Sequence, residues 1–259
     1  MRLDKYLAEA SVGKRKITRE YIQAGKVTVN HQVVTEPARD IDEIHDMVEY
    51  QGEEIVQSQR VYYMFHKPGG CVTATKDLEN KTVLDYFDPK HAKGLFPIGR
   101  LDKDTEGLLL LTNHGEFSHS IMHPDKHVEK AYFFWALGEL DDQKEELLRT
   151  GIIIGENEPP ARALQLKVID SGEYKELKDK MNANSIKEVR INPMYQPVLS
   201  GILTIAEGRK HQVKRMLKAV GCYVVYLKRI SIGGLTLDET LQPGCYRELS
   251  DAEIKMLYR

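Results

Sequence analysis

Four consecutive leucines, Leu108–Leu111, stand directly behind a crowded charged segment in the stretch "IGRLDKDTEGLLLLTN", residues 98–113. An apolar run of this length, bounded by Gly107 and Asn113, reads as a strand, and as the most buried strand of the chain. Any sheet this chain forms has to seat it. The charged residues before it, Arg100, Asp102, Lys103, Asp104 and Glu106, pose a choice. They form either a solvated loop between two strands or a site loop with one carboxylate held at the edge of the core. Taken alone, an Asp in a loop is structural far more often than catalytic, so the rest of the chain has to decide.

From residue 61 onward the texture is that of strands in quick succession. "VYYMFHK", "LFPIG", "GLLLLTN", "KAYFFWAL", "ARALQLKVI", "EVRI" and "GILTIAE" all read as strands, several of them bounded by Gly, Pro or Asn. Helices are expected near 116–122, 141–149 and 209–220, the last closed by Gly221, and a short final helix is announced by the capping box at Ser250–Glu253. Many strands, few helices and no strict βαβ alternation predict an α+β fold with a mixed, largely antiparallel sheet and flanking helices. The N-terminal stretch differs. Leu3, Tyr6, Leu7 and Ala10 follow the spacing of a short amphipathic helix, and Ile17, Tyr21 and Ile22 mark a second. A helix stop at Gly25 and short strands then complete a small α/β unit. The expected division is a small domain over residues 1–59 and a larger one over 60–259.

Charge narrows the partner class. The net charge of −2 hides an asymmetry. Residues 1–30 carry seven Lys or Arg against three acids, and residues 31–60 carry two against eight. A second basic cluster comprises Arg209, Lys210, Lys214, Arg215, Lys218, Lys228 and Arg229. Two separated basic patches on a near-neutral chain suit a polyanion held at two places. The N-terminus is too charged for a signal peptide, and no apolar run approaches a membrane span. Three well-separated cysteines fit a reducing compartment. A cytoplasmic, monomeric protein without membrane association is expected.

No cofactor is expected, since no glycine-rich phosphate loop, dinucleotide fingerprint or HExxH motif is present. His119, His123 and His127 have the spacing of helical metal ligands, but Pro124 interrupts them, so no metal is expected. A carboxylate can attack an anomeric carbon unaided, and Asp102, between Leu101 and the leucine strand, is the best-placed candidate. Asp104 and Glu106 keep a paired-acid hydrolase open at this point.

"GRLDKDTEGLLLLTNHG" closely resembles the signature of the RsuA/RluB-type ribosomal RNA pseudouridine synthases. Three further stretches agree in order: "FHKPGGCVTAT" with the family's lysine-proline-glycine motif, "HVEKAYFF" with its Lys-x-Tyr strand, and "IAEGRKHQVKRMLKAVG" with its EGR helix. "RLDKYLAEA" through "IQAGKVTVN" is similar to an S4 RNA-binding module, although "VGKRKITREY" lacks the family's usual Ser-Arg. The resemblance implies a pseudouridine synthase fold behind an S4-like domain, with ribosomal RNA as partner and no cofactor. It implies that Asp102 attacks a flipped uridine at C1′ of the ribose or at C6 of the base. Tyr132 would stack on that base, and Lys214 would pair with Asp102 and hold it ionised. Arg100 would fill the gap left in the RNA, and Asp104 would be structural. Arg209 and Arg215 would contact phosphate or brace the helix, and Lys5, Lys14, Arg15 and Arg19 would form the basic RNA-facing surface of the S4-like unit. Lys214 and the stretch from "RISIGG" to "LSDAEI" look more like the enzyme acting on small-subunit 16S rRNA, or on an assembly intermediate of that subunit, than like its large-subunit (23S) relatives.

Two other readings stay distinguishable. A non-catalytic, S4-type ribosome-associated factor would have no need of Asp102. A carboxylate-pair hydrolase would need Asp104 as much as Asp102, and would leave both basic patches unexplained.

Overall fold

The computed structural model describes residues 1–10, 12–43, 45–55, 60–123, 126–181 and 193–257. At the N-terminus α1 (Leu3–Glu9) and α2 (Arg15–Gln23) pack on a four-stranded sheet of β1 (Val27–Val29), β2 (Gln32–Val33), β3 (Val48–Tyr50) and β4 (Glu53–Glu54), in the order β2-β1-β3-β4. Leu3, Leu7 and Ile22 from the helices meet Val27, Val29 and Val48 from the strands, all at most 1% exposed. Gly25, at φ +69°, ends α2 and lets the chain enter β1.

The remaining elements build a nine-stranded sheet. Its first members are β5 (Tyr62–Lys67), β6 (Phe96–Ile98), β7 (Glu106–Thr112) and β8 (Lys130–Leu137), with α3 (Pro89–Ala92) before β6 and α4 (Gly115–Met122) after β7. There follow α5 (Asp142–Thr150), β9 (Gln165–Glu173), α6 (Tyr174–Leu177), β10 (Pro197–Ile205), α7 (Gln212–Ala219), β11 (Tyr223–Ile232), β12 (Leu235–Thr236), β13 (Tyr246–Glu248) and α8 (Asp251–Met256). The order is β13-β5-β7-β11-β8-β10-β9, with β6 on β7 and β12 on β11. Of the strand pairings in this sheet, only β7–β11 is parallel among the described residues. The expected mixed, largely antiparallel α+β sheet is therefore present.

The leucine run owes its lack of alternation to the sheet being covered on both faces. Leu109 and Leu111 point into a core with Phe65, Phe134, Met216 and Leu217, and Leu108 and Leu110 into one with Met64, Ile98, Phe117 and Ile121. All four leucines are completely buried, each contributing about 2 kcal/mol of apolar burial. β5 pairs along nearly all of β7, but the other edge of β7 is shared: β6 covers Leu110–Thr112 and β11 covers Glu106 and Gly107. The chain leaves the sheet after Ile98 and re-enters at Glu106, so the charged loop sits where β6 gives way to β11.

Two expectations need amendment. β11, a ten-residue strand between β7 and β8, is absent from the expected set. Register shifts at Val224/Tyr226 and Arg229/Ser231 break its alternation, and Lys228 and Arg229 made it read as part of a basic surface. The helix expected near 209–220 begins only at Gln212, because His211 takes a left-handed conformation at φ +53°. The strand expected at "EVRI" lies outside the described residues.

Gly107, at φ +103°, lies against β11 so closely that an added Cβ would fall 2.2 Å from the Arg229 carbonyl oxygen. Gly107→Ala is expected to cost about 2–5 kcal/mol in denaturant unfolding, from backbone strain plus overpacking; a loss below about 0.5 kcal/mol would refute this close packing. Near the C-terminus Arg247 donates at 2.7 Å to Asp238 and at 2.7 Å to Glu253. The Thr240 hydroxyl and then Arg247 hold Asp238 at about 2, and chiefly Arg247 holds Glu253 at about 2. Both values lie below the unfolded range, so this stabilisation is complete above pH about 5 and is lost as pH falls through about 2. Arg247→Met should therefore be less stable than wild type by about 1–3 kcal/mol at neutral pH, a gap that should close in acid unfolding curves near pH 2.

Candidate active site

The loop between β6 and β7 is clamped from below. Lys67, the last residue of β5, is completely buried. Its Nζ donates to the carbonyls of Pro68 at 3.0 Å, Lys103 at 3.2 Å and Thr105 at 2.9 Å. Burial pulls its pKa down, and the nearby Cys71, Asp104, Glu106 and Asp102 offset this in part. From the side, Thr73 Oγ1 donates to the Leu101 carbonyl at 2.8 Å and accepts from the Leu101 amide at 3.2 Å. The Thr105 amide donates to the Asp102 carbonyl at 3.1 Å, closing a turn with Asp102 at its head.

The Asp102 side chain is 28% exposed and faces the start of α7. His211 Nε2 lies 3.4 Å from Oδ1, and Lys214 Nζ lies 3.6 Å from Oδ2. Lys214 is closer to Asp104, to which it donates at 2.6 Å. This lysine bridges two acids, because one side chain from the first turn of α7 reaches across the loop. Burial raises the Asp104 pKa, but the Lys214 hydrogen bond and charge outweigh it, leaving the net value lowered. The two carboxylates open onto different hollows: Asp102 lines one with Tyr132 and Arg229, and Asp104 lines another with Glu106 and Tyr226.

The hollow in front of Asp102 is a cleft of about 410 Å³, a size suited to a small ligand. Its floor is one face of the sheet: Lys130 and Tyr132 from β8, Ile205 from β10, and Leu227 and Arg229 from β11. Tyr132 is 8% exposed and pairs across the sheet with Leu203 and Arg229. Arg100 is exposed at the rim, and Arg209, Lys210 and His211 line the opposite wall. Lys130 is 7% exposed; burial, with the Arg229 charge adding to it, pulls its pKa down to about 8. Arg229 is 2% exposed, donates from Nε to the Leu108 carbonyl at 2.8 Å, and leaves Nη2 without a hydrogen-bond partner. Among the described lining residues, Asp102 is the single acid.

The other basic residues singled out in the sequence are partly committed elsewhere. Arg209 donates to Glu207 at 2.7 Å and ion-pairs with Glu158 at 3.6 Å. Arg215 donates to Glu158 at 2.7 Å and to the Ile154 carbonyl at 2.9 Å. Both thereby brace the α7 region against residues 154–160. In the N-terminal unit Arg19, at 2.7 Å, and Arg15, at 3.3 Å, converge on the fully buried Asp4. Burial raises the Asp4 pKa, but these guanidinium hydrogen bonds bring it below the usual carboxylate value. Lys5 pairs with Glu9 at 3.8 Å and with Glu116 in the first turn of α4, joining the N-terminal helix to the larger sheet unit. Lys14 is exposed at the N-cap of α2. His119 and His123 have ring centroids 5.1 Å apart, and no group of three potential metal ligands converges among the described residues.

Sequence reasoning missed Lys67, Lys130, His211 and Arg229 as members of the site. Lys67 and Lys130 lie inside the quoted lysine-proline-glycine and Lys-x-Tyr motifs, so position was visible and only function was not. His211 and Arg229 were hidden by a left-handed residue and an irregular strand.

Comparison with known proteins shows the family of the chain. A family model described as RNA pseudouridylate synthase matches residues 61–219, and an S4 domain model matches residues 1–48. The chain is 37% identical to the ribosomal small subunit pseudouridine synthase A of Vibrio cholerae over 100% of both chains. It is 36% identical to the ribosomal large subunit pseudouridine synthase B of Bacillus subtilis, over 99% of this chain and 95% of that one. A crystal structure of a pseudouridylate synthase superposes with a TM-score of 0.65 at 33% identity, covering 99% of each chain.

Lys67→Met keeps the length and apolar stem of this side chain but leaves three loop carbonyls short of a donor. It is expected to cost about 2–4 kcal/mol in urea unfolding and to speed amide exchange at Gly70 and Thr105. Unchanged exchange at those two amides would refute the clamp.

Proposed function

The chain belongs to the RNA pseudouridylate synthase family and carries an S4 domain ahead of it, and from that premise we propose that it isomerises one uridine of 16S ribosomal RNA to pseudouridine, using Asp102 and no cofactor. The observation that carries the reading is the single acid in the cleft. Hydrolysis of a glycosidic bond calls for a second carboxyl group to activate water or protonate a leaving group. Here Asp102 stands alone beside Tyr132 and several cations, while Asp104 faces another hollow across Lys214. An isomerase needs one nucleophile, because the released uracil stays in the cleft and rejoins the ribose.

In this reading the target uridine leaves its stack and enters the cleft, where Tyr132 stacks on the base. Asp102 attacks at C1′ or C6, the C1′–N1 bond breaks, the ring turns, and C5 bonds to C1′. Lys214 holds the Asp104 carboxyl below its usual value and lies 3.6 Å from Asp102, and the loop clamp keeps the attacking oxygen in place. Residues 1–59 serve as the RNA-gripping domain and 60–259 as the catalytic one. Arg100, Arg209, Arg215, Lys14, Arg15 and Arg19 supply cationic contacts, with Asp4 aiming the last two, while Lys5 anchors the small unit. The protein acts as a monomer in the cytoplasm; no helix among the described residues is long and apolar enough to cross a membrane.

The 16S assignment draws on Lys214, on the C-terminal stretch and on the small-subunit relative. The 36% identity with a large-subunit synthase keeps 23S rRNA as the second reading. RNA tritiated at C5 of uridine separates them, since isomerisation releases that tritium to water. Release is expected from 16S rRNA, naked or assembled into subunit particles. It should fall at least about a thousandfold in Asp102→Asn and stay within about tenfold in Asp104→Asn. Release from 23S rRNA alone would move the target, and equal loss in the two variants would favour a paired-acid mechanism.

A further inference from the structure

One proton of this isomerisation has no assigned carrier. Uridine has a hydrogen on C5 and none on N1; pseudouridine has its ribose on C5 and a hydrogen on N1. Each turnover therefore takes a proton from carbon. The inference rests on the isomerase reading above.

Lys130 and Tyr132 are two residues apart on β8, so their side chains stand on one face of the strand, and both line the cleft with Asp102. Lys130 is almost completely buried, and its Nζ donates to the Val128 carbonyl at 2.6 Å. No carboxylate ion-pairs with it among the described residues; the charge that bears on it is the like charge of Arg229. A buried cation beside another cation, with no acid to compensate it, is costly for a fold. Such arrangements concentrate at working sites. Lys130 also lines a second hollow of about 540 Å³, so this residue is shared by the two.

We propose that Lys130 is the base that removes the proton from C5 of the target uracil once that ring has turned and C5 has bonded to the ribose. In that adduct C5 is tetrahedral and bears both C1′ and its original hydrogen, and N1 is doubly bonded to C6. The neutral amine of Lys130 takes the hydrogen as a proton. The C–H electron pair forms the C5=C6 double bond, and the N1=C6 pair moves onto N1. N1 then takes a proton from water, and the ammonium returns its proton to the hydroxide so formed. Atoms and charges balance; if Asp102 attacks C6 instead of C1′, the same adduct arises once the N1 electron pair has expelled the Asp102 carboxylate from C6 to form N1=C6.

Burial and Arg229 pull the amine down to about 8, so a working fraction is neutral near physiological pH. The charge that acts in that direction is that of Arg229. The cleft is also lined by Arg100, Lys103, Arg209, Lys210 and His211, with Asp102 as the one acid. The second hollow adds His123, His127 and Arg162, and a single acid, Glu207, to which Arg209 donates at 2.7 Å. The competing role for a buried cation in an RNA site is a phosphate contact, which needs charge and no proton transfer.

The test is single-turnover release of C5 tritium from 16S rRNA between about pH 6 and 9.5 by wild type, Lys130→Arg, and Lys130→Met with and without methylamine. Wild-type rates should rise about tenfold per pH unit and level off near 8, and Lys130→Arg should be at least about a hundredfold slower while binding RNA within about threefold of wild type. Methylamine should restore Lys130→Met in proportion to its free-base concentration, an effect that lost packing cannot mimic. Lys130→Arg within about threefold of wild type at every pH would overturn the proposal in favour of a purely electrostatic role. So would loss of RNA binding by both variants, or absence of methylamine rescue in a folded Lys130→Met. If wild type itself releases no tritium from any rRNA, it is the isomerase reading that fails.

Discussion

The ammonium group of Lys67 is the contact on which the site depends. It has three protons to donate and meets three backbone carbonyls, those of Pro68, Lys103 and Thr105. Burying a cation in the middle of a sheet carries a heavy desolvation cost, repaid only when every donor is satisfied. The return is geometric. The loop that bears Asp102 has no regular secondary structure to hold it, yet it is anchored to the end of β5, to Thr73, and through Leu101 to the core. β7 supplies the other anchor, since its four leucines root the far end of the loop in two cores at once. The reaction proposed for Asp102 needs a carboxylate in a fixed position, and two rigid attachments within a few residues provide it.

From that fixed point the electrostatics follow. Lys214 lies between Asp102 and Asp104, with the shorter contact to Asp104. Asp104 is thus occupied by its cation, and Asp102 keeps a looser partnership with both Lys214 and His211. The nucleophilic role proposed for Asp102 is better served by this than by a tight ion pair, which would have to break before attack. The cleft itself is cationic, with one acid among many bases, which suits a polyanionic substrate. The N-terminal unit repeats the device on a smaller scale: one buried acid, Asp4, gathers Arg2, Arg15 and Arg19 and leaves all three about half-exposed on the surface.

Much of this was visible in the residues alone. Periodicity marked both N-terminal helices, the leucine strand, the Tyr132 strand and the capped final helix, because each is amphipathic or apolar in a regular way. β11 was not visible, since two register shifts destroy its alternation and its arginine points into the protein rather than toward solvent. The late start of α7 was hidden because His211, a non-glycine residue, adopts φ +53°, which composition does not announce. The motifs located Asp102, Tyr132 and Lys214, and the structure brings them to one end of the sheet. Motif spacing could not say that Lys214 leans toward Asp104, that Lys67 holds the loop, or that Lys5 spends its charge on Glu116. Those facts depend on residues more than 35 positions apart meeting in space.

The central claim, that Asp102 makes one pseudouridine in small-subunit RNA, is tested most directly in the organism itself. Carbodiimide labelling and primer extension across both ribosomal RNAs would compare cells carrying the native chromosomal gene with cells in which codon 102 specifies Asn. The account predicts that a single stop in 16S rRNA disappears and that every stop in 23S rRNA stays. An unchanged 16S pattern, or a stop lost from 23S rRNA instead, would contradict it.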